Sequence, residues 1–181
     1  AMQLGALEQS AHFLRRAITG GQNGVEVRRN LVSVLAQQER LALVEPMIAS
    51  LASETGDPSL SSLHANVLER LGKSGPALAL QEQQAEAYPE KAHVWVAYGH
   101  GLRAAGRTDD AVAAYRQAIA ADPEFGEAWW GLAGVRVKAI DDTDIAKMHK
   151  ALEIAVDLRN VAPIHFALGR AYGARGMHEK A

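Results

Sequence analysis

Residues 92–125 read AHVWVAYGHGLRAAGRTDDAVAAYRQAIAADPEF. Two helical patterns lie in this stretch, joined at Gly106-Arg107 and closed by Asp122-Pro123. Apolar residues follow a fixed order of size: Trp95, Tyr98, Gly99 and Leu102 in the first half, then Ala111, Tyr115 and Ala118 in the second. That order suits two antiparallel helices whose backbones approach closely. Gly99, Ala111 and Ala118 leave clearance, and Trp95 and Tyr115 fill the volume beside it.

The stretch serves as a ruler for the rest of the chain. Moved back by its own length, it sets Gly72 on Gly106, Ala77 on Ala111, Pro89 on Pro123 and Ala65 on Gly99. Ser61 and Gln81 stand where Trp95 and Tyr115 would be, which predicts looser packing there. Moved forward, it sets Trp129 on Trp95, Leu132 on Tyr98 and Ala133 on Gly99, and then the match fails. The segment after it, AIDDTDIAKMHKALEIAVD at 139–157, has no turn glycine but keeps a helical stripe of Ile145, Met148, Leu152 and Ala155. Asp142 or Thr143 is expected to cap it. A shift of two residues restores the register at 162, where Leu168, Gly169, Tyr172, Gly176 and Ala181 match in order. Residue 181 falls halfway through a unit, so the chain reads as a fragment of a longer protein. At the other end, Ala1-Met2 reads as an expression scar. Residues 3–19 predict one amphipathic helix (Leu4, Leu7, Ala11, Leu14, Ala17, Ile18), ended by Gly20 to Gly24. Further helices are expected over 25–38 and 41–55, the second either starting near Glu45 or kinking at Pro46.

The order of small and large residues resembles the tetratricopeptide repeat, a helix-turn-helix unit of 34 residues. The resemblance implies an all-α fold, a right-handed α-solenoid of antiparallel helix pairs with a concave groove lined by the first helix of each pair. Repeats are expected at 58–91, 92–125 and 126–161, a truncated one at 162–181 and degenerate helices over 3–57, all in a single solenoid over 1–181. A narrower resemblance rests on the run Phe125 to Ala133 (FGEAWWGLA), Asp142 to Met148, Ala151-Leu152, and His165 to Tyr172. This succession is similar to the repeat region that precedes the catalytic domain of bacterial tetratricopeptide-repeat sulfotransferases. There a following domain transfers sulfuryl groups from PAPS. The resemblance implies no catalysis by these residues, and the donor-phosphate loop of that family has no counterpart in the chain.

Composition narrows the function classes. Hydrophobic residues at 48% and charged residues at 22% suit an ordinary globular protein, and a net charge of −2 gives no field for nucleic acid or an anionic membrane. The absence of cysteine removes disulfides and thiolate metal sites and fits a reducing compartment, hence a cytoplasmic location. Gly72-Lys73-Ser74 ends like a phosphate loop, but Val67 stands where the motif needs glycine. Gly99-His100-Gly101 lies inside a helix, not after a strand as a dinucleotide loop requires. The acidic run Asp141 to Asp144 fits no calcium loop and reads as a helix cap. His93 and His100 are seven residues apart, about 10 Å along a helix, too far to share a metal. Glu82 and Glu86 read as a solvated face, and His149 and His165 as surface or inter-helix residues. No catalytic residue, cofactor or metal site is expected.

The groove remains as the candidate site. Positions that face it in the resembled family fall on Ser62, Asn66 and Arg70, on His93, Val96, His100 and Arg103, on Glu127, Trp130, Gly134 and Lys138, and on Phe166 and Arg170. Trp130 follows a tryptophan that already takes the core position, so it faces either the groove or the neighbouring first helix. Ser62 replaces the lysine with which some family members clamp a terminal carboxylate, although Asn66 fits. The expected partner is a protein or peptide in the groove, with Asn66, Arg70, His93, His100, Arg103, Trp130, Lys138, Phe166 and Arg170 as contacts, or else the missing C-terminal domain of the same protein. No nucleic-acid or membrane partner is expected. The competing readings are an acceptor-positioning region of a sulfotransferase and a purely architectural dimerisation surface.

Overall fold

Several of the turns between helices are made by a residue that accepts a left-handed backbone. Gly72, Gly106 and Gly176 have φ of 73°, 77° and 72°. In each case the next residue's N–H donates to a carbonyl five residues back: Lys73 to Leu68, Arg107 to Leu102 and Met177 to Tyr172. This closes the last helical turn and lets the chain reverse. Glu39 makes the same turn at φ 58° without being glycine, and Arg40 donates to Leu35. Gly72 is therefore the corner between two helices, as its sequence context requires.

The computed structural model describes residues 2–154 and 157–177, with side chains from residue 5 onward. Leu4, Ala155 and Ala181, which the sequence places on apolar faces, lie outside the residues whose side chains are described. Among the described residues all regular structure is helical: α1 Met2–Thr19, α2 Val25–Gln37, α3 Leu41–Thr55, α4 Pro58–Arg70, α5 Ser74–Ala87, α6 Ala92–Ala104, α7 Thr108–Ala121, α8 Gly126–Arg136, a 3-10 turn Val137–Ala139, α9 Asp142–Ile154 and α10 Leu158–Ala174. Two compact units divide the chain, Ala1–Leu80 and Gln81–Ala181, with the boundary inside α5.

In the first unit, α1 to α4 enclose a core of Ala11, Leu31, Leu35, Val44, Ile48 and Leu51 among others. Pro46 neither starts nor ends α3, which begins at Leu41 and runs through it. Asp57 caps α4 by accepting from the Ser59 N–H at 2.8 Å, and Pro58 occupies the first helical position, where a missing N–H costs nothing. Arg29 reaches the other side of Asp57, and this hydrogen bond, with those from Ser59, holds the Asp57 carboxyl below its usual pKa.

The second unit is built around Tyr115. Its side chain is fully buried. A Cβ added at Gly99 on α6 would meet the ring at 2.7 Å, and one at Gly131 on α8 would meet it at 2.5 Å. The ring from α7 thus fills a slot that exists only because both helices lack a side chain there. Trp129 is fully buried and donates to the Pro123 carbonyl at 2.8 Å, and Trp95 does the same to Pro89 at 2.9 Å. Trp95 and Trp129 are one ruler length apart, and so are the two prolines, so the ruler measures an interaction as well as a spacing.

Beyond α8 the ruler fails for a reason the structure supplies. The 3-10 turn leaves carbonyls at Ala139 and Ile140 without helical partners, and two arginines take them. Arg116 of α7 donates to Ala139, and Arg175 after α10 donates to Ile140 at 2.8 Å. Arg116 also pairs at 2.7 Å with Asp144, which is 3% exposed. Burial raises the pKa of Asp144, but the hydrogen bonds from Arg116 and the Asp141 N–H outweigh it and hold the carboxyl below its usual range. Asp141, not Asp142 or Thr143, caps α9. Its carboxylate accepts the Asp144 N–H at 2.8 Å, while Asp144 accepts the Asp141 N–H at 3.1 Å. This reciprocal pair is a capping box with aspartate in both roles.

Gly131→Ala is expected to destabilise the protein by about 1–3 kcal/mol through overpacking against Tyr115. Gly134→Ala, in the same helix with open space at its Cβ, is expected to be neutral or slightly stabilising. Urea denaturation of the two variants compares them directly; equal midpoints would contradict the slot. A second prediction concerns alkali. Burial, with Glu82 beside Tyr98, pushes the Tyr98 phenol up to about 12, and burial pushes Tyr115 up to about 12. Folding raises both, so their contribution is complete below about pH 10 and lost as pH rises towards 12. The urea midpoint should fall across that window, and less steeply in the Tyr98→Phe/Tyr115→Phe double variant.

Candidate functional site

On α6, the open side of the helix carries His93 and Arg103, both exposed, and His100, which is partly covered. Val96, expected beside them, is instead 3% exposed and belongs to the core. His100 joins three helices. Its Nδ1 lies 2.7 Å from the Tyr115 hydroxyl and its Nε2 lies 3.1 Å from Glu127 Oε1 on α8. A carboxylate only accepts, so Nε2 carries a proton, and in the neutral ring the Tyr115 hydroxyl donates to Nδ1. The phenol that fills the core slot therefore sets the orientation of a surface imidazole.

Helices α8 and α10 touch backbone to backbone at their starts. A Cβ at Gly126 would overlap the Asn160 carbonyl oxygen, far inside contact distance. Beside this contact lies an open cleft of about 550 Å³ lined by Glu127, Trp130, Arg159, Ala162, Pro163 and Phe166. Trp130 is 46% exposed and Phe166 is 67% exposed, whereas Trp129 is fully buried. Trp130 lines the cleft together with residues of the neighbouring first helix, α10, and solvent still enters between them. The open face of α10 continues the cleft past Phe166 to Arg170, in a second hollow of about 820 Å³ with Leu158, Val161, His165 and Gly169.

The structure brings His100, Trp130, Phe166 and Arg170 onto the open faces of α6, α8 and α10 in one unit, with His93 and Arg103 on the same helix as His100. Lys138 lies on the 3-10 turn, exposed, and does not line the cleft. Asn66 and Arg70 are exposed on α4 of the first unit, and Arg70 is ion-paired with Glu39. Ser62, at the clamp position, donates to its own helix at the Pro58 carbonyl.

Not every lining residue follows from the repeat register. Arg159 falls outside it because α10 begins at Leu158, a turn before the register restarts at 162. The signal that could have found it is Asp157, whose carboxylate caps α10 by accepting the Arg159 N–H at 2.9 Å. In the first unit a groove of about 530 Å³ between α2 and α4 includes Arg29, Val32, Ser59 and Leu63. His149 is exposed and bonds the Tyr172 hydroxyl at 2.8 Å, an inter-helix role, and Glu82 is exposed and accepts from Tyr98 at 2.6 Å. Among the described residues no group of three histidine or acidic side chains is placed to hold a metal ion, and no helix is long and apolar enough to cross a membrane.

Residues 92–135 match the family model described as tetratricopeptide repeat. No curated protein matches the chain. Among solved structures, BtubC from P. vanneervenii aligns with a TM-score of 0.67 at 18% identity, over 99% of this chain and 85% of that one. MamA (residue 41 to the end) from Desulfovibrio magneticus RS-1 aligns at 0.64 and 18% identity, over 84% and 88%. YrrB, described as a TPR protein with an unusual peptide-binding site, aligns at 0.62 and 16% identity, over 89% and 84%. At these identities the likeness is one of fold, and the fold is the tetratricopeptide-repeat solenoid of antiparallel helix pairs.

Proposed function

We propose that the chain is a protein-interaction module that takes a peptide, or a segment of another domain, against the open faces of α6, α8 and α10. The observation that carries this is the open cleft between Trp130 and Phe166. Burying a tryptophan side chain removes about 150–250 Å² from water. With Trp130 about half exposed, a partner covering it would recover about 2 kcal/mol from that residue alone. Large exposed aromatics in a concave site are the usual anchors of a peptide contact. The polar groups around the cleft sit on rigid helices, so little ordering opposes binding. YrrB, which shares the fold, is described as having a peptide-binding site, which agrees with this use of the scaffold.

The sulfotransferase reading rests on the sequence resemblance of 125–172 alone. Neither the repeat match nor the structural neighbours named above add to it, so it stays a second reading, to be decided by the coding sequence that follows residue 181.

A random-peptide display library selected on the protein tests the proposal. Peptides are expected to enrich, and Trp130→Ala and Phe166→Ala are each expected to weaken their binding by about tenfold or more, as for interface anchors. Lys150→Ala on α9, away from the cleft, should leave binding unchanged. Enriched peptides indifferent to both cleft variants would overturn the proposal. Circular dichroism of each variant checks that the helices remain.

A further inference from the structure

Charge around the cleft is not distributed like charge in the whole chain. The chain carries a net charge of −2. Yet two arginines bracket Phe166 along α10. On α10 the residues Arg159, Pro163, Phe166 and Arg170 follow one another at helical spacing on one side, with an arginine at each end and apolar side chains between. On α6, Arg103 lies close enough to Tyr115 to lower its pKa against the effect of burial. Among the described residues neither Arg103 nor Arg170 forms an ion pair. The acidic groups nearby are already engaged. Glu127 accepts from His100, and Asp157 pairs with Arg159 at 2.7 Å while also capping α10. Arg159 itself is 90% exposed, so its guanidinium remains open to a second acceptor.

Geometry limits what fits. Arg159 and Arg170 are eleven residues apart on one helix, about 16 Å at 1.5 Å per residue. In an extended peptide the residues two before and two after a central one stand four rises apart, about 13 Å at 3.3 Å each, and the long arginine side chains span the remaining few ångströms. Side chains two apart in an extended chain point to the same side. A large apolar side chain seated between Trp130 and Phe166 would therefore direct the side chains two before and two after it toward the two arginines. Guanidinium groups in that position are matched by carboxylates.

Resting on the groove reading above, we propose that the partner is an extended segment with one large apolar residue flanked at two residues on either side by acidic ones. The apolar side chain enters the Trp130–Phe166 cleft, and the acids meet Arg159 and Arg170. Recognition is of an internal segment through its side chains, so a free terminal carboxylate is not required. This agrees with Ser62 standing where a clamp lysine would be.

The test uses three capped peptides: Gly-Glu-Ser-Phe-Ser-Glu-Gly, the same with alanine for phenylalanine, and the same with lysine for both glutamates. Binding is followed by backbone amide shifts of the whole chain and by tryptophan emission. The glutamate peptide is expected to bind with shifts centred on Trp130 and Phe166, and to lose about tenfold with alanine at its centre. The lysine peptide should bind at least about tenfold more weakly, and raising salt should narrow that gap. Arg159→Glu/Arg170→Glu is expected to reverse the preference toward the lysine peptide, which a misfolded variant would not do. Equal binding of the glutamate and lysine peptides, with Trp130 still required, would overturn the proposed partner chemistry and leave the groove reading standing. The partner chemistry is likewise overturned if none of the three binds while library peptides bind through Trp130. If library peptides also bind without regard to Trp130 and Phe166, both fall.

Discussion

A single ring held between two glycines constrains the second unit. Tyr115 lies where α6 and α8 each lack a side chain, and a methyl group at either Gly99 or Gly131 would stand within 2.7 Å of it. Protein interiors are packed densely enough that such a clash cannot be absorbed without moving a helix. The distance from α6 to α8 is therefore set by the thickness of an aromatic ring. From this the placement of the exposed faces follows. His100 is one residue beyond Gly99, and its imidazole is oriented by the same phenol. Glu127 lies one turn before Gly131 and closes the chain of hydrogen bonds. Core packing and surface chemistry thus share one side chain.

The same reasoning explains why irregularity collects after α8. The regular repeats close their corners with a left-handed glycine. Between Arg136 and Asp142 there is no such glycine, and the chain turns through a short 3-10 segment instead. Shortening the turn leaves carbonyls that would be costly if buried unpaired. Arg116 and Arg175 meet that cost from opposite sides, and Asp144 balances one of them. The departure from the repeat is compensated in a polar network, which ties α7, α9 and the end of α10 to one turn. The changed length after α8 also lets α10 begin a turn early, and this brings Arg159 to the cleft.

How much of this is legible in the sequence depends on what each position does. Spacing reveals the corners at Gly72, Gly106 and Gly176, because only a residue tolerant of positive φ serves there. It also reveals the tryptophan positions, since Trp95 and Trp129 make the same bond to prolines six residues before them. The double role of Gly131 is not visible: in the ruler it aligns with Ala97, an exposed residue, so spacing offers no reason to look there. Val96 is misplaced by pattern because a family position says which way a residue points in an ideal unit, while here the residue is buried. Asp141 does not stand out as a cap because the neighbouring aspartates and threonine offer the same chemistry, and only the backbone path chooses among them. Long-range partners such as Arg175 for Ile140 leave no trace in local pattern at all.

Trp129 and Trp130 show the division of labour most directly. The two residues are adjacent and chemically identical, yet one is sealed in the core and the other is half open to solvent. The first is fixed by the repeat: its indole N–H must reach Pro123 and its ring must fill the pair. The second has no such duty within the unit, for the helix would form equally well with a polar residue there. An apolar surface of that size left in water is a standing cost, small enough for the fold to carry and large enough for a partner to recover. Phe166 faces the same cleft with the same cost, from a different helix. Two such residues opposed across one gap, with arginines at either end of it, form an arrangement that packing does not require. Recognition of a partner gives it a physical purpose, because covering both rings and meeting the arginine donors at either end are then satisfied by the same event.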